Sequence, residues 1–223
     1  MKLSKHLINQ NIHDHINAIT KEFREGFEEL KKYPKSITIF GSSHSTPASS
    51  HYREAQELAY RIVKETGYTI ITGGGPGIMA AANLGAQEAK GQSIGFTITL
   101  PNEQRTNPYT TSSIHADYFF TRKMMLTFAA EVYIFFPGGF GTFDELFSIL
   151  TLLQTKKIPP VPVILMGKDF WNPLHAFITT NMLGRHHVIA PEDMNLFTIT
   201  DSADKILEII KKAPVSNWWE HSD

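Results

Sequence analysis

From Pro34 onward, short β-rich runs alternate with stretches that carry a helical period, and few architectures accept that rhythm. Ile37–Phe40, Tyr68–Thr72, Ser93–Thr99, Val132–Phe136 and Val161–Met166 read as strands. The stretches between them, such as Tyr52–Glu65 and Phe143–Gln154, hold helix-compatible residues. Strand runs that are mostly apolar need cover on both faces, which parallel sheets receive from the helices that connect their strands. The expected fold is therefore α/β, a Rossmann-like, doubly wound, mostly parallel sheet with helices on both faces. Leu196–Thr200 is expected to add an edge strand, and Asp201–Lys212 a last helix capped by Asp201 or Ser202. Pro101–Ser113 is polar and proline-flanked, and reads as a long loop of the kind that serves function.

Before Pro34 the rhythm is different. Leu7, Ile12, Ile16, Ile19, Phe23, Phe27 and Leu30 recur at helical spacing, with charges between them. Residues 1–34 are expected to form an N-terminal helical arm packed on the core or on a partner subunit, residues 35–213 the α/β domain, and residues 214–223, with Trp218-Trp219, a tail. The arm's apolar stripe predicts a homo-oligomer. A net charge of −1 gives no electrostatic footprint for a polyanion, so no nucleic-acid partner is expected. The chain has no cysteine, which removes disulfides and thiolate metal sites. Met1–Asn11 is polar where a secretory signal would be apolar, and no uncharged apolar run approaches about 18 residues. The expectation is a cytoplasmic protein with no membrane partner.

In an open parallel sheet, ligands bind beyond the carboxyl ends of the strands, where turns present backbone N–H groups and helix N-termini. Glycine-bearing turns follow the first, second and fourth of the strand runs: Gly41-Ser42-Ser43, Gly73-Gly74-Gly75-Pro76-Gly77, and Pro137-Gly138-Gly139-Phe140-Gly141-Thr142. Each is a candidate for holding an anion. Neither longer turn satisfies G-x-G-x-x-G, because Ile78 and Asp144 stand where the last glycine is needed, and G-x-x-x-x-G-K-[ST] is absent. The turn around Gly74 and Gly75 also reads as a tight bend that lets the next helix pack closely.

Thr142-Phe143-Asp144-Glu145 matches a capping box, with Thr142 at the N-cap and Glu145 reaching back to its amide. Against that reading, a nest of glycine amides suits a phosphate, which two neighbouring carboxylates would repel. The carboxylates make sense if the bound molecule also develops positive charge, as a ribosyl carbon does when its bond to a base breaks. A carboxylate about 4 Å from such a cation gains roughly 4 kcal/mol at an effective dielectric near 20. That is close to three decades in rate. Arg122-Lys123 opens the helical stretch Thr121–Ala130, where cations oppose the helix dipole. Read plainly they are surface charges. Read functionally, Arg122 grips a ribose, a phosphate or the Glu145 carboxylate. His13/His15 and His186/His187 lack zinc-site spacing, so no metal is expected. Ser42 and Ser43 have no evident base and read as phosphate or hydroxyl contacts, while nothing beyond Lys123 itself suggests a Schiff-base cofactor.

At these residues the chain resembles the LONELY GUY family of nucleoside 5′-monophosphate phosphoribohydrolases, known for releasing cytokinin bases and often mislabelled as lysine decarboxylases. The family signature P-G-G-x-G-T-x-x-E stands as Pro137–Glu145, its R-K pair as Arg122-Lys123, and its G-G-G-x-G-x-M turn as Gly73–Met79. The likeness continues through Leu100–Gln104, Asn107-Pro108-Tyr109, Thr151, Gln154 and Pro162–Met166. The resemblance implies hydrolysis of the N-glycosidic bond of a purine nucleoside 5′-monophosphate, without cofactor or metal. It makes Arg122 and Glu145 the catalytic pair, lays the phosphate on Gly138, Gly139, Phe140, Gly141 and Thr142, and completes the nucleotide site with Glu103, Lys123 and Thr151. Phe119-Phe120-Thr121 replaces the plant-type M-H-x before the R-K pair, and Ala80 stands where many bacterial relatives carry Glu. With the N-terminal arm, these features resemble a longer bacterial subgroup and point to AMP ahead of a prenylated adenine nucleotide. A non-catalytic nucleotide sensor or carrier on the same fold is the alternative.

Overall fold

Strand β1, Ser36–Phe40, is buried at every residue, the condition of a strand whose sheet is covered on both faces. The computed structural model describes residues 12–98 and 106–215. Around β1 the chain runs α1 (Ile12–Leu30), then α2 (Ser50–Thr66), β2 (Thr69–Thr72), α3 (Ile78–Glu88), β3 (Ser93–Ile98), β4 (Ser112–Ala116) and α4 (Phe119–Phe128). It continues through β5 (Val132–Phe135), α5 (Phe140–Gln154), β6 (Val163–Met166), α6 (Lys168–Phe177), β7 (Thr198–Thr200) and α7 (Ala203–Lys212). The sheet has seven strands in the order β4-β3-β2-β1-β5-β6-β7, and every neighbouring pair is parallel. No described helix is long and apolar enough to cross a membrane.

Alternation along the strands divides the core in two. Ile37, Ile39, Ile70, Val132, Ile134 and Ile164 face α2, α3 and α7, where Leu58, Ile62, Ala81, Ala82, Ile206 and Ile210 meet them. Phe40, Ile71, Ile94, Tyr133, Phe135 and Leu165 face the other side, against Leu30, Met125, Leu126, Leu146, Ile149 and Trp171. Helix ends follow local rules. Ser49 caps α2 by accepting from the Tyr52 amide at 3.3 Å, and Gly67, with φ +72°, closes it. Ser202, of the two candidates, caps α7, while Asp201 accepts from the Gly167 and Lys168 amides ahead of α6.

One sequence expectation changes here. Ser112 and Ser113 begin a strand instead of ending a loop, because β4 is an edge whose residues alternate between half-buried and exposed, so no apolar run announces it. The arm lies along α4 and β4 of its own chain: Phe27 meets Phe128 with ring centres 6.3 Å apart, and Ser112 donates to Glu29 at 3.3 Å. Met1–Asn11 and Trp218-Trp219 lie outside the described residues.

After β1 the chain winds outward to β4, then returns to start β5 on the other flank of β1. The carboxyl ends of β1 and β5 therefore open where successive connections diverge, the place that receives ligands in open α/β sheets. A buried polar network holds the next turn in place. Asn83 accepts from Thr72 Oγ1 at 2.7 Å and from Asn107 Nδ2 at 3.0 Å, and donates to Ser93 Oγ at 2.7 Å. Asn107 also donates to the Gly75 carbonyl at 3.0 Å. Replacing Asn83 by Ala strands these partners away from water and opens a cavity. Denaturant unfolding of Asn83→Ala should show a loss of about 2 kcal/mol or more.

Candidate active site

Three turns are tied to one another through the backbone of Ser42. Its amide donates to the Pro137 carbonyl at 3.0 Å, and its own carbonyl accepts from Ile78 N at 3.0 Å. Such close approach needs glycine: a Cβ at Gly41 would stand 2.7 Å from the Ile78 side chain, and one at Gly77, where φ is +70°, 2.1 Å from Ser42 O. Between the turns lies a cleft of about 320 Å³, bounded by Ser42, Ser43 and His44, by Gly73, and by Gly139–Thr142. Arg122 and Glu145 face into it, and Met79, Ile98, Phe119 and Leu126 form its apolar part.

Helix α5 starts three residues earlier than the capping-box expectation placed it, with its N-cap at Gly139 instead of Thr142. Gly139 is the N-cap and offers no side chain to the helix amides, and the first helical bond runs from Phe143 N to Gly139 O at 3.1 Å. The N–H groups of Phe140, Gly141 and Thr142 are thus left without helical acceptors at the mouth of the cleft. Thr142 lies inside the first turn beside Gly138, where a Cβ would come within 2.1 Å of its hydroxyl. A Cβ at Gly139 or Gly141 would meet nothing within 4 Å, so packing does not demand glycine there, and the bare backbone leaves room for a ligand. The capping-box role of Glu145 is overturned, because that side chain sits in the second turn and is buried beside the cleft.

Glu145 is 5% exposed, and its Oε2 has no hydrogen-bond partner. Burial pushes the carboxyl up to about 7, with Asp144 acting in the same direction and Arg122 and Lys123 opposing it. Why the neighbouring charges leave it unpaired is visible in their own contacts. Asp144 takes the Lys123 ammonium at 2.7 Å, joining α5 to α4. Arg122 donates from Nε to the Phe96 carbonyl at 2.6 Å and from Nη2 to the Gly73 carbonyl at 3.2 Å. Burial lowers the guanidinium and the nearby Glu145 raises it, yet among the described residues no ion pair joins the two.

The structure brings Arg122, Glu145, Ser42, Gly139, Phe140, Gly141 and Thr142 to one cleft. Gly138 supports Thr142 from behind. The second glycine turn presents acceptors where anion binding needs donors. Gly73 gives its carbonyl to Arg122, and a Cβ there would stand 2.1 Å from Nη2. Gly74 packs on Gly95 and Thr97, and Gly75 bonds Asn107. Lys123 reaches Asp144, and Thr151 lies exposed farther along α5, bonding the Phe147 carbonyl at 2.7 Å. Glu103 lies outside the described residues. Sequence reading passed over His44, which follows the Ser42-Ser43 turn and lines the cleft, and Ile98, and placed Met79 and Phe119 in motifs without assigning them to the site. A family model described as "Possible lysine decarboxylase" matches residues 79–210.

The chain belongs to that family. Its curated relatives carry a different activity name, in agreement with the LONELY GUY resemblance. A cytokinin riboside 5′-monophosphate phosphoribohydrolase of Arabidopsis thaliana is 28% identical over 68% of this chain and 71% of its own length. A second from the same plant is 25% identical over 81% and 79%, and one from Rhodococcoides fascians 23% over 67% and 77%. Among solved structures, the molybdenum cofactor binding protein of Rippkaea orientalis has a TM-score of 0.59 at 24% identity, covering 79% of this chain and 96% of that one. The molybdenum cofactor carrier protein of Chlamydomonas reinhardtii has a TM-score of 0.57 at 21% identity, covering 80% and 97%. At such identities these structures share the fold with this family member.

The state of Glu145 gives a stability test. Its carboxyl is raised from 4.5 to about 7 in the fold, so the folded chain binds the proton more tightly than the unfolded one. That contribution to stability is complete below pH 4.5 and is lost as pH rises through about 7. Glu145→Gln removes the dependence. Unfolding free energies measured from pH 5 to 8 should show the variant gaining on the parent as pH rises, by on the order of 3 kcal/mol at the upper end.

Proposed function

We propose that this protein hydrolyses the N-glycosidic bond of a purine nucleoside 5′-monophosphate, AMP or a cytokinin riboside 5′-monophosphate, to the free base and ribose 5-phosphate. The observation that carries this reading is the buried, unpartnered carboxylate oxygen of Glu145 one turn beyond three open helix amides. A phosphate on the amides of Phe140, Gly141 and Thr142 places the attached ribose next to Glu145, and the base then reaches the apolar end of the cleft at Met79, Ile98 and Phe119. The curated relatives' names give the same substrate class.

In this account binding energy from the remote phosphate is used to hold the anomeric carbon in place. As the C1′–N9 bond lengthens, positive charge grows on the ribosyl carbon, and the Glu145 carboxylate stabilises it from within a desolvated site. Water adds to C1′ and passes its proton to Glu145, and the base leaves with the bonding electrons and takes up a proton at N9, from solvent or from Glu145, so that the carboxylate is regenerated. Arg122, fixed by two carbonyls, orients the ribose and keeps Glu145 ionisable. Ser42 and His44 are placed to contact the ribose or phosphate from the opposite wall.

Chromatography of AMP incubated with the protein should show adenine and ribose 5-phosphate. Glu145→Gln should lower kcat by about two to four decades while AMP binding by calorimetry persists. Because the ionised carboxylate is the working form, kcat/KM should rise with pH through an ionisation near 7. AMP bound by the parent protein without release of adenine would identify a nucleotide sensor or carrier in place of a hydrolase.

A further inference from the structure

The arm helix α1 packs along α4, with Gly26 against the Met125 side chain. A Cβ at Gly26 would stand 1.7 Å from the Met125 sulfur, so a larger residue there would displace the Met125 side chain that fills the seam. Along that seam residues 22, 26 and 27 meet Thr121, Met125 and Phe128 in order, so the helices run side by side in the same direction. The contact at the amino-terminal end of α4 is polar. Tyr118, the N-cap of α4, gives the helix no side-chain hydrogen bond. Glu22 braces this end from the arm: Oε1 takes the amide of Asp117, just before the cap, at 2.9 Å, and Oε2 takes the hydroxyl of the fully buried Thr121, which also bonds Tyr118 O at 2.7 Å. His15 Nδ1 and the Tyr118 hydroxyl share a further bond of 2.9 Å.

Arg122 follows immediately. Its amide makes the first helical bond of α4, to Tyr118 O at 3.2 Å, so the turn held by Glu22 is the turn from which the guanidinium projects. A carboxylate beside a helix start complements the dipole, and here it also ties the residue before the cap, through the Asp117 amide, to the Thr121 hydroxyl of the first turn. We propose that Glu22 is a positioning residue for Arg122: the arm braces the start of α4 from outside, through Asp117 and Thr121, and thereby sets where the guanidinium stands against Gly73, Phe96 and the carboxylate of Glu145. The arm is then part of the site's framework, reaching the cleft through the first turn of α4 and its buried Thr121. The effect on turnover rests on the proposed hydrolysis, whereas the effect on the geometry of the free protein does not.

The titration of Glu145 reports that geometry, because Arg122 opposes its upward displacement. The groups facing Glu145 are Arg122 and Lys123 from α4, Asp144 on its own helix, Tyr133 from β5, and His44 across the cleft. The experiment follows the Glu145 side-chain carboxyl by carbon NMR across pH in the full chain, with the signal assigned by its loss in Glu145→Gln. In Glu22→Ala the midpoint should move upward by about half a unit or more, since the guanidinium is held less closely. Glu22→Gln, which keeps an acceptor oxygen, should restore most of the displacement. Thr121→Val removes one partner of Glu22 with little change of shape, and should move the midpoint the same way even if Glu22→Ala does not fold. Phe27→Leu loosens the far end of the seam and should lower Tm while leaving the midpoint in place. With AMP, Glu22→Ala should lower kcat by about tenfold or more. Midpoints unchanged in Glu22→Ala and Thr121→Val, with Tm lowered as in Phe27→Leu, would reduce Glu22 to a stability contact and overturn the proposal. Absence of adenine release from the parent protein removes the hydrolase reading alone, and the titration still decides the role of Glu22.

Discussion

Keeping an ionisable oxygen of Glu145 out of water without a partner is unfavourable, and the loops around it are arranged so that this cost is tolerated where it is useful. The nearest charges are already committed. Asp144 has taken Lys123, and Arg122 is fastened to the Phe96 and Gly73 carbonyls. Had either cation closed on Glu145, its carboxyl would lie well below neutrality and its oxygens would be occupied. As arranged, the carboxyl responds near pH 7 and faces an open cleft, the condition expected of a group that meets its counter-charge only when a ligand arrives.

The sheet makes this possible by fixing the turns independently of one another and then locking them. Parallel strands β1, β2 and β5 deliver their carboxyl ends to one edge, and the Ser42 backbone clasps the turns that follow. Glycines divide into two kinds under this constraint. Gly41, Gly73 and Gly77 are required because another chain segment occupies the space of a side chain. Gly139 and Gly141 have nothing opposite them, and Gly141, inside the first turn, costs helical stability without improving packing. That contrast separates the turns that build the site from the turn that meets the ligand.

Most of the layered architecture could be read from the chain because two-sided burial produces apolar runs, as at Ile37–Phe40 and Val132–Phe135. Edge strand β4 was hidden for the converse reason: Ser-Ser-Ile-His-Ala is covered on one side only. The candidate carboxylate and guanidinium were also visible, Glu145 because it follows the Gly139–Thr142 turn and Arg122 because a cation is out of place near a helix start. What the letters could not give was direction. A run such as Gly73-Gly74-Gly75 offers donors or acceptors according to its φ and ψ, and here the carbonyls face inward. Thr142 and Glu145 likewise match a capping pattern in spacing, but Gly139 starts the helix first and carries Glu145 one turn inward.

The most direct test of the account is a crystal structure of the Glu145→Gln protein with AMP bound. The account predicts phosphate oxygens at about 2.7–3.2 Å from the amides of Phe140, Gly141 and Thr142, and the anomeric carbon about 3–4 Å from the side chain at position 145. A phosphate seated elsewhere, or a ribose turned so that position 145 faces only the protein, would contradict it.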